Sequence, residues 1–339
     1  MSGTLPLIQQ LVSQQDISSE QMSELFREIV QGELEPILLS ALLTALKIKG
    51  ETPEEIAGAA KALKGNALPF PAVNYTCSDN CGTGGDGTHT INISTTSAIV
   101  AASLGIKMAK HGNRSVSSKS GSADVLSHLG INLNMSPEQA KHCLDKTNLT
   151  FLMAPVYHSG IKHAMGVRQT LKMRTIFNIL GPLINPAGAQ IQIVGVYEPE
   201  LLKPVAHALQ LLGKQACWVV HGSGMDEMAL HGSTKVVQLK DNKISEFELS
   251  PADFGLTNSP LEAIKGGTPE QNAENIKAVL SGNGSDAHNA AIAINTAPLL
   301  ILNNLADDLK QACELVLTQL KSGNALLTLT EFSELSRQG

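Results

Sequence analysis

The chain has 339 residues and a formal net charge of −6 at pH 7, from 25 basic and 31 acidic side chains. That length can bury a large core and predicts two domains. The acidic balance and an aromatic content of 3% argue against a general nucleic-acid binder, which needs a basic face and stacking aromatic side chains. No apolar run reaches the roughly 18 residues of a membrane span, so we expect neither a nucleic-acid partner nor a membrane role.

The five cysteines are far apart in the sequence and include no C-x-x-C pair. Such spacing favours reduced core thiols over disulfides or a zinc site. The first residues also lack the basic region and the long apolar core of a signal peptide. We therefore expect a cytoplasmic protein.

Residues 1–72 have the pattern of a small all-helical domain. Between residues 22 and 30 the apolar side chains recur at helical spacing, which predicts one buried face, and Gly32 marks the end of that helix. The next segment, Pro36–Ile48, is apolar on nearly every side and must be covered on two faces. Thr52–Glu55 then supplies an N-cap, a proline and a capping-box glutamate for a third helix.

From residue 73 onward, short apolar segments alternate with capped helices, which predicts an α/β domain. Ile191–Val196 and Cys217–Val220 are expected to be buried strands, and Ser136 is expected to cap a helix. The second strand leads into the loop His221–Glu227, in a position where α/β enzymes usually bind ligands.

The segment Cys81–Thr95 joins a glycine-rich turn to a hydroxyl-rich helix start. Glycines let backbone N–H groups converge on an anion, and a helix N-terminus adds unpaired donors, so this segment predicts a phosphate site. The G-x-G-x-x-G spacing from Gly82 also matches the dinucleotide fingerprint. However, we expect the helix to begin only near Ser94 or Thr95, and no acid follows at the required distance, which argues against a Rossmann site.

The stretch between Gly87 and Ala123 contains no acidic residue. It carries the basic residues Lys107, Lys110, Arg114 and Lys119. Local positive charge in an acidic chain favours an anionic ligand, and a solvated basic loop is the alternative.

Five motifs carry a resemblance to a known family. They are Cys81–Gly87, Asn92–Thr95, Lys110–Asp124, Arg174–Pro186 and Met225–Glu227. In their order and spacing, the chain resembles the anthranilate phosphoribosyltransferase family from its first helices to its last. The resemblance implies an α/β fold in which a small helical domain is hinged to a larger domain with a central, mainly parallel, mixed sheet flanked by helices. The expected boundaries are 1–72, completed by helices within about 160–190, and 73–339.

The resemblance also implies an activity. Such an enzyme is a pentosyltransferase that joins phosphoribosyl pyrophosphate to anthranilate, giving N-(5-phosphoribosyl)anthranilate and pyrophosphate, the second step of tryptophan biosynthesis from chorismate. It implies Mg²⁺, with two ions per subunit, and a homodimer formed through the helical domain, consistent with the apolar Pro36–Ile48 segment. Association with anthranilate synthase components is a further expectation.

By resemblance, phosphoribosyl pyrophosphate contacts the glycine loop, the following helix start and the basic segment. The residues are Gly82, Gly85, Asp86, Thr90, Asn92, Ile93, Ser94, Thr95, Lys110, His111, Gly112, Asn113, Arg114, Ser115, Val116, Ser117, Ser118 and Ser122. Lys110 is a compact point charge suited to phosphate. Ser94 and Thr95 also fit a plain helix cap.

The resemblance implies a second set of residues, for anthranilate. They are Gly82, Asn113, Arg168, His111 and His158. We expect the Arg168 guanidinium to bind the substrate carboxylate through two parallel hydrogen bonds, and a surface arginine is the alternative. No general base is assigned, because the aromatic amine is already neutral near pH 7. Catalysis should be electrostatic and positional, with Lys110, Arg168, Asp226 and Glu227 favoured and His111 as a further candidate.

By resemblance the metal ligands are Ser94, Asp226 and Glu227. Mg²⁺ usually shares few protein carboxylates with substrate phosphates, so two adjacent acids after a glycine turn are sufficient when substrate is bound. From the residues alone, a lone Asp-Glu pair is weak evidence for a metal site, and a solvated turn is the favoured interpretation.

Two other function classes stay open. A pyrimidine nucleoside phosphorylase-like enzyme would share the architecture, although its phosphate segment reads differently. A nucleic-acid-binding, non-enzymatic relative should be more basic than this chain. One departure from the family pattern is Gly166, where members often have proline, so we expect a looser backbone close to Arg168.

Overall fold

The computed structural model describes residues 3–114 and 120–338. The expected phosphate-binding residues Ser115, Val116, Ser117 and Ser118 therefore lie outside the described residues. No helix in the described part is long and apolar enough to cross a membrane.

Four helices form the N-terminal part of the chain. They are α1 (Thr4–Val12), α2 (Ser19–Gln31), α3 (Pro36–Lys49) and α4 (Pro53–Gly65). Ser18 and Thr52 cap α2 and α4 through capping boxes. Gly32 ends α2 in the left-handed conformation at φ +75°, as the sequence predicts.

Helix α3 is covered on only one side within the chain. Leu42 and Leu46 are fully buried beneath it, whereas Ile37 and Ile48 are 83% and 70% exposed. The apolar face that the sequence expects to be covered is therefore open to solvent in the isolated chain.

The rest of the chain forms one seven-stranded sheet and its helices. The strands are β1 (Ser78–Asp79), β2 (Met108–Gly112), β3 (Leu149–Met153), β4 (Ile191–Gly195), β5 (Ala216–Gly222), β6 (Thr234–Lys240) and β7 (Lys243–Leu249). Their order is β3-β2-β1-β4-β5-β6-β7. The first five strands in that order are parallel, and β6 and β7 are antiparallel, so the sheet is mixed and mainly parallel.

The remaining helices flank the sheet or connect its strands. They are α5 (Ile93–Ser103), α6 (Ser122–His128), α7 (Pro137–Thr147), α8 (Ala154–Tyr157), α9 (Lys162–Leu171), α10 (Phe177–Leu180), α11 (Leu202–Leu211), α12 (Pro269–Leu280), α13 (Asp286–Leu302), α14 (Leu309–Ser322) and α15 (Asn324–Ser336). Short 3₁₀ helices cover Ser159–Ile161, Gly181–Leu183, Pro199–Leu201, Pro251–Phe254 and Leu261–Ile264. Helix α9 packs against α2 and α3, so a segment distant in sequence extends the N-terminal helices.

The residues of β4, and Val196 directly after it, alternate between two different cores. Ile191 and Ile193 join the core that the sheet shares with α5, α13, α14 and α15. Val194 and Val196 join the core that contains α2, α3, α4 and α11. The alternation follows from the pleat of a strand that is covered on both faces.

The sheet topology places one end of β1 at a junction. The chain proceeds from β1 to β2 and β3 on one side, and β4 then pairs with the other side of β1. Parallel sheets bind ligands beyond the carboxyl ends of their strands at such a switch point. The loops after β1, β2, β4 and β5 therefore define the region where a site is expected.

Candidate active site

The loop between β1 and α5 holds the glycines that the sequence predicts for phosphate binding. Gly84, Gly85 and Gly87 have φ angles of +67°, +77° and +77°, which L side chains rarely adopt. The Thr83 N–H donates to the Gly195 carbonyl at 2.9 Å, so the loop is fastened to the end of β4.

Asp226 fits into a space made by glycines of two neighbouring loops. A Cβ on Gly82 would lie 2.6 Å from the Asp226 carboxylate, and a Cβ on Gly195 would overlap the Asp226 carbonyl. The Gly84 N–H donates to Asp226 Oδ2 at 2.6 Å. The glycine loop that is expected to bind phosphate is thus in direct contact with Asp226, an expected metal ligand.

Glu227 lies at the N-terminus of α5. Its Oε1 accepts the Ser94 N–H at 3.3 Å and also the Ser94 hydroxyl. Helix α5 begins at Ile93, and its N-cap is Asn92, which makes no side-chain capping bond. The carboxylate therefore satisfies a first-turn donor, whereas the alternative of Ser94 or Thr95 as the cap residue is wrong.

The carboxylates are crowded in this region. Asp86 Oδ2 accepts the Asp226 N–H at 3.3 Å. Burial first, and then the neighbouring charges of Glu227 and Asp86, raise the pKa of Asp226 well above its usual range. Burial likewise raises the pKa of Glu227. The carboxylate pair is thus a half-buried, charge-crowded cluster and not a solvated turn.

This cluster has the chemistry of a hard-cation site. Ser94, Asp226 and Glu227 offer only oxygen donors, and their crowding would be relieved by a cation. Across residues 3–114 and 120–338, no group of three or more His, Cys, Asp or Glu side chains is arranged to hold a metal alone. The residues therefore fit an ion that takes its other ligands from substrate oxygens.

Lys110 lies on β2 and is only 4% exposed. Its Nζ donates to the backbone oxygen of Asn80 at 3.2 Å and to Asn80 Oδ1 at 3.1 Å. Asn80 in turn donates to the Ser94 carbonyl at 2.8 Å. Asn80 thus connects Lys110, the cation that is expected to bind phosphate, to the start of α5.

His111, the next residue, points to the other side of the strand ends. Its Nδ1 lies 2.9 Å from the Gly181 carbonyl, which requires that Nδ1 carry the proton, and its ring stacks edge-on against His158 at 5.3 Å. Burial lowers the pKa of His111 to about 4, and burial and the neighbouring His111 lower the pKa of His158 to about 3. Both rings are therefore neutral near pH 7.

Arg168 lies on α9 and is half-buried. Its guanidinium carbon is 5.0 Å from the centre of the Phe177 ring, and burial lowers its pKa. No carboxylate forms an ion pair with Arg168 in the described part of the chain. Gly166, two residues earlier, is exposed, and a Cβ there would meet nothing within 4 Å.

The other residues that are expected to bind phosphoribosyl pyrophosphate make contacts of several different kinds. Asn92 Oδ1 accepts from Asn272 Nδ2 at 2.8 Å, while Thr90 forms a β-bridge with Lys265. Arg114 forms an exposed ion pair with Asp124 at 3.0 Å, so its charge is already partly neutralised. Phosphate binding by Arg114 would therefore require this exposed pair to open or to be shared with the ligand.

The segment after β2 is closely packed at Gly112 and Asn113. A Cβ on Gly112 would lie 2.7 Å from the Phe151 ring. The Ser122 hydroxyl donates to the Asn113 carbonyl at 3.2 Å, and Asn113 Oδ1 accepts the Arg114 N–H at 2.8 Å. Both the backbone and the side chain of Asn113 thus form hydrogen bonds within the segment that follows β2.

Three residues that shape the site were assigned no contact in the sequence analysis, although one of them opens the Arg174–Pro186 motif. They are Asn80, Arg174 and Gly195. A glycine within a predicted strand signals close backbone approach, so Gly195 could have been suspected. Asn80 and Arg174 carry no such signal, because their partners are fixed only by tertiary contacts.

Known proteins share both parts of this architecture. Residues 5–67 match the helical bundle domain of a glycosyl transferase family, and residues 74–326 match the a/b domain of that family. The anthranilate phosphoribosyltransferase of Aeromonas salmonicida is 57% identical over 324 residues, covering 96% of each chain. That of Colwellia psychrerythraea is 56% identical and covers 97% of this chain and 90% of the relative.

Solved structures agree in fold. The Thermus thermophilus anthranilate phosphoribosyltransferase is similar with a TM-score of 0.93 and 38% identity, covering 97% of this chain and 99% of that one. The Saccharomyces cerevisiae enzyme, solved in complex with phosphoribosyl pyrophosphate and Mg, is similar with a TM-score of 0.90 and 30% identity, covering 99% and 98%. The chain therefore belongs to the anthranilate phosphoribosyltransferase family, a group of pentosyl-transferring enzymes with a helical bundle and an α/β domain.

Proposed function

We propose that this chain transfers the 5-phosphoribosyl group of phosphoribosyl pyrophosphate to the amine of anthranilate, releasing pyrophosphate, as the second step of tryptophan biosynthesis from chorismate. The observation that carries the proposal is the direct contact between the glycine loop and the Asp226–Glu227 pair. The names of the curated relatives support the same donor and acceptor.

The donor is proposed to bind across the glycine loop and the start of α5. Gly85 has a positive φ, the missing Cβ of Gly82 leaves room for Asp226, and Asn92 and Thr95 lie at the positive end of the helix dipole. Lys110 supplies a buried positive charge already positioned by Asn80. Displacement at the anomeric carbon places negative charge on the leaving pyrophosphate, so these groups stabilise the transition state electrostatically.

Ser94, Asp226 and Glu227 are proposed to hold Mg²⁺, with two ions per subunit. When bound, the metal would offset negative charge on the leaving pyrophosphate. Support comes from the crowded carboxylates and from the Mg complex of the yeast relative. Before binding, the Ser94 hydroxyl and the first-turn N–H hold Glu227 in place.

The acceptor is proposed to bind with its carboxylate on Arg168. A half-buried guanidinium with no acidic partner in the described residues is desolvated and ready for an anionic group. Asn113, His158 and the backbone at Gly82 are proposed to surround the ring. Positioning the amine toward the ribose carbon is then the main contribution of these residues.

His111 is proposed to orient the acceptor amine. Its Nδ1 proton is committed to the Gly181 carbonyl, and its buried Nε2 has no hydrogen-bond partner among the described residues. A neutral Nε2 can accept a hydrogen bond from an aromatic amine, which orients the nitrogen lone pair. The proposal assigns no obligatory proton transfer to this ring.

The assembly is proposed to be a homodimer through the helical part of the chain. An apolar groove of about 850 Å³ runs between α1, α3 and α9. Val12, Ile37, Ile48 and Val167 are among the residues that line it. An exposed apolar surface of this kind is typical of a subunit contact. Association with anthranilate synthase components is proposed on the family likeness alone.

A cytoplasmic location is also proposed. It is supported by the five cysteines, all of which are free thiols.

The reaction is tested by the decay of anthranilate fluorescence when the protein is mixed with phosphoribosyl pyrophosphate, with and without Mg²⁺. We expect decay only when donor and metal are both present. A folded protein that leaves anthranilate unchanged, but cleaves thymidine or uridine with inorganic phosphate, would replace this proposal with the phosphorylase alternative.

A further inference from the structure

Arg174 connects two loops of the candidate site. One guanidinium nitrogen, Nη2, donates to the Gly85 carbonyl of the glycine loop. The other, Nη1, lies 3.0 Å from Glu198 Oε1 in the segment after β4. The guanidinium carbon lies 3.9 Å from the centre of the Tyr197 ring.

These three contacts fix the guanidinium in one orientation. Stacking on Tyr197 sets its plane, and the Glu198 carboxylate holds one edge, so the other edge faces Gly85. Tyr197 is itself joined to the glycine loop, because its N–H donates to the Thr83 hydroxyl at 3.2 Å. The contacts form a closed circuit between the end of β4 and the loop after β1.

The Gly84–Gly85 turn is therefore held from two sides by opposite charges. The Asp226 carboxylate accepts the Gly84 N–H, and Arg174 donates to the Gly85 carbonyl. Consecutive glycines at positive φ have much conformational freedom to lose when a ligand orders them. Contacts that fix the turn beforehand reduce that cost and tighten binding.

Arg174 is also close in sequence to Arg168, the cation that is proposed to bind the anthranilate carboxylate. Helix α9 ends at Leu171, with the Lys172 N–H donating to the Arg168 carbonyl at 3.2 Å. Arg174 follows two residues after Lys172, in the short non-helical connection between α9 and α10.

We propose that Arg174 is a positioning residue, which holds the Gly84–Gly85 turn in the conformation that receives the pyrophosphate of the donor. The inference rests on the proposed function for the identity of the donor. It assigns Arg174 no contact with the reacting atoms. The competing explanation is that its positive charge attracts the donor without fixing the turn.

Two substitutions separate these explanations. Arg174→Lys keeps the charge but cannot stack on Tyr197 and bridge Glu198 to Gly85 in one plane. Arg174→Gln removes the charge as well. Lys172→Gln is the matched control, because it removes one exposed positive charge from the same segment, two residues away.

The experiment measures kcat, the KM of each substrate and calorimetric binding of Mg²⁺-pyrophosphate to each full-length variant. We expect both Arg174 variants to raise the KM for phosphoribosyl pyrophosphate and the pyrophosphate Kd about tenfold, the effect of one lost charged hydrogen bond. The kcat value and the anthranilate KM should change much less. Lys172→Gln should bind pyrophosphate as the unsubstituted protein does.

Wild-type pyrophosphate affinity in Arg174→Lys would overturn the inference, because charge alone would then suffice. So would an equal loss in every kinetic constant together with a lower Tm, which would indicate general support of the fold. If the unsubstituted protein binds pyrophosphate but consumes no anthranilate, the proposed function fails. The calorimetric comparison still decides the role of Arg174 in that case.

Discussion

Arg168 and Arg174 carry the same charge six positions apart but have different surroundings. Arg174 is committed to Gly85, Tyr197 and Glu198. Arg168 touches the Phe177 ring and has no carboxylate partner in the described residues. A guanidinium without a counter-charge is suited to a ligand anion, whereas a bridged one is suited to holding structure.

Replacing Arg168 with alanine should raise the KM for anthranilate by about tenfold or more, since a charged hydrogen-bonding pair with the substrate carboxylate is lost. The KM for phosphoribosyl pyrophosphate should change much less. Steady-state kinetics with each substrate varied separately measure both values, and Gln169→Ala, at an exposed neighbour, is the control. Equal losses for both substrates would contradict the assigned role.

Removing the carboxylates by Asp226→Ala combined with Glu227→Ala should raise the Mg²⁺ concentration needed for half-maximal rate. Two of the three proposed protein ligands disappear, and the Gly84 N–H also loses its Asp226 acceptor. A Mg²⁺ titration at saturating substrates measures the effect. Glu262→Gln, in a 3₁₀ helix outside the cluster, is the control. An unchanged metal requirement would exclude the pair from the metal site.

The buried His111 and His158 should make stability depend on pH. Their folded pKa values, about 4 and about 3, lie below the ordinary value of 6.5, so the unfolded chain binds more protons in between. The contribution of these two neutral rings to the free energy of unfolding should therefore be fully present above pH 6.5 and be lost as the pH falls toward 4. Thermal unfolding measured between pH 7 and pH 5 should show a falling Tm. A double His111→Gln, His158→Gln variant should show a smaller slope over that range, and an unchanged slope would assign the loss to other groups.

Among the elements, α4 shows how a local signal acquires a wider role. Thr52 and Glu55 form the capping box that the sequence predicts. Glu55 has no exposed surface and also accepts the Ile17 N–H at 3.2 Å and the Lys49 ammonium at 2.9 Å. One carboxylate thus joins the entry to α2, the end of α3 and the start of α4.

Glu55→Gln should lower the free energy of unfolding by about 2 kcal/mol, because Lys49 would lose its fully buried counter-charge and keep only Asp16, at 2.7 Å, as an ionic partner. Chemical denaturation monitored by circular dichroism measures the change. Glu54→Gln, at an exposed position of the same turn, should change stability by only a few tenths of a kcal/mol. Similar values for the two variants would show that Glu55 acts only as a cap.

At the scale of the whole molecule, the sheet order determines which loops meet. Asp226 and Gly82 are far apart in sequence, yet a Cβ on Gly82 would touch the Asp226 carboxylate. They meet because β1 pairs with β4, and β4 pairs with β5. The N-terminal helices share one hydrophobic core with a face of the sheet. The helices and the strand ends that carry the site residues therefore belong to one packed structure.

The open face of α3 leads to a prediction about assembly. Ile37→Glu places a charge at a position that is 83% exposed in the isolated chain, so it should leave the fold intact but prevent burial in a subunit contact. Sedimentation at micromolar concentration should show a dimer for the unsubstituted chain and a monomer for this variant. Leu327→Glu, at a 61% exposed position on α15, should remain dimeric. Dimers in both variants would place the contact elsewhere.

The sequence by itself determined the local features. Helix starts at Thr52 and Ser136 depend on contacts within one turn, so residue identity is enough to predict them. The glycine loop after β1 was equally visible, because glycines at positive φ are a local requirement. The family motifs also gave the mainly parallel mixed sheet, although no single segment contains its order.

Only the tertiary structure decided which charges remain available to a ligand. Arg114 and Arg174 are engaged by Asp124 and Glu198, while Arg168 has no acidic partner in the described part of the chain. Sequence spacing contains no information on such pairings, since each depends on distances between elements that are set by packing. The crowding of Asp226 and Glu227 has the same origin, because burial and neighbouring charge arise only when the loops after β1, β4 and β5 come together.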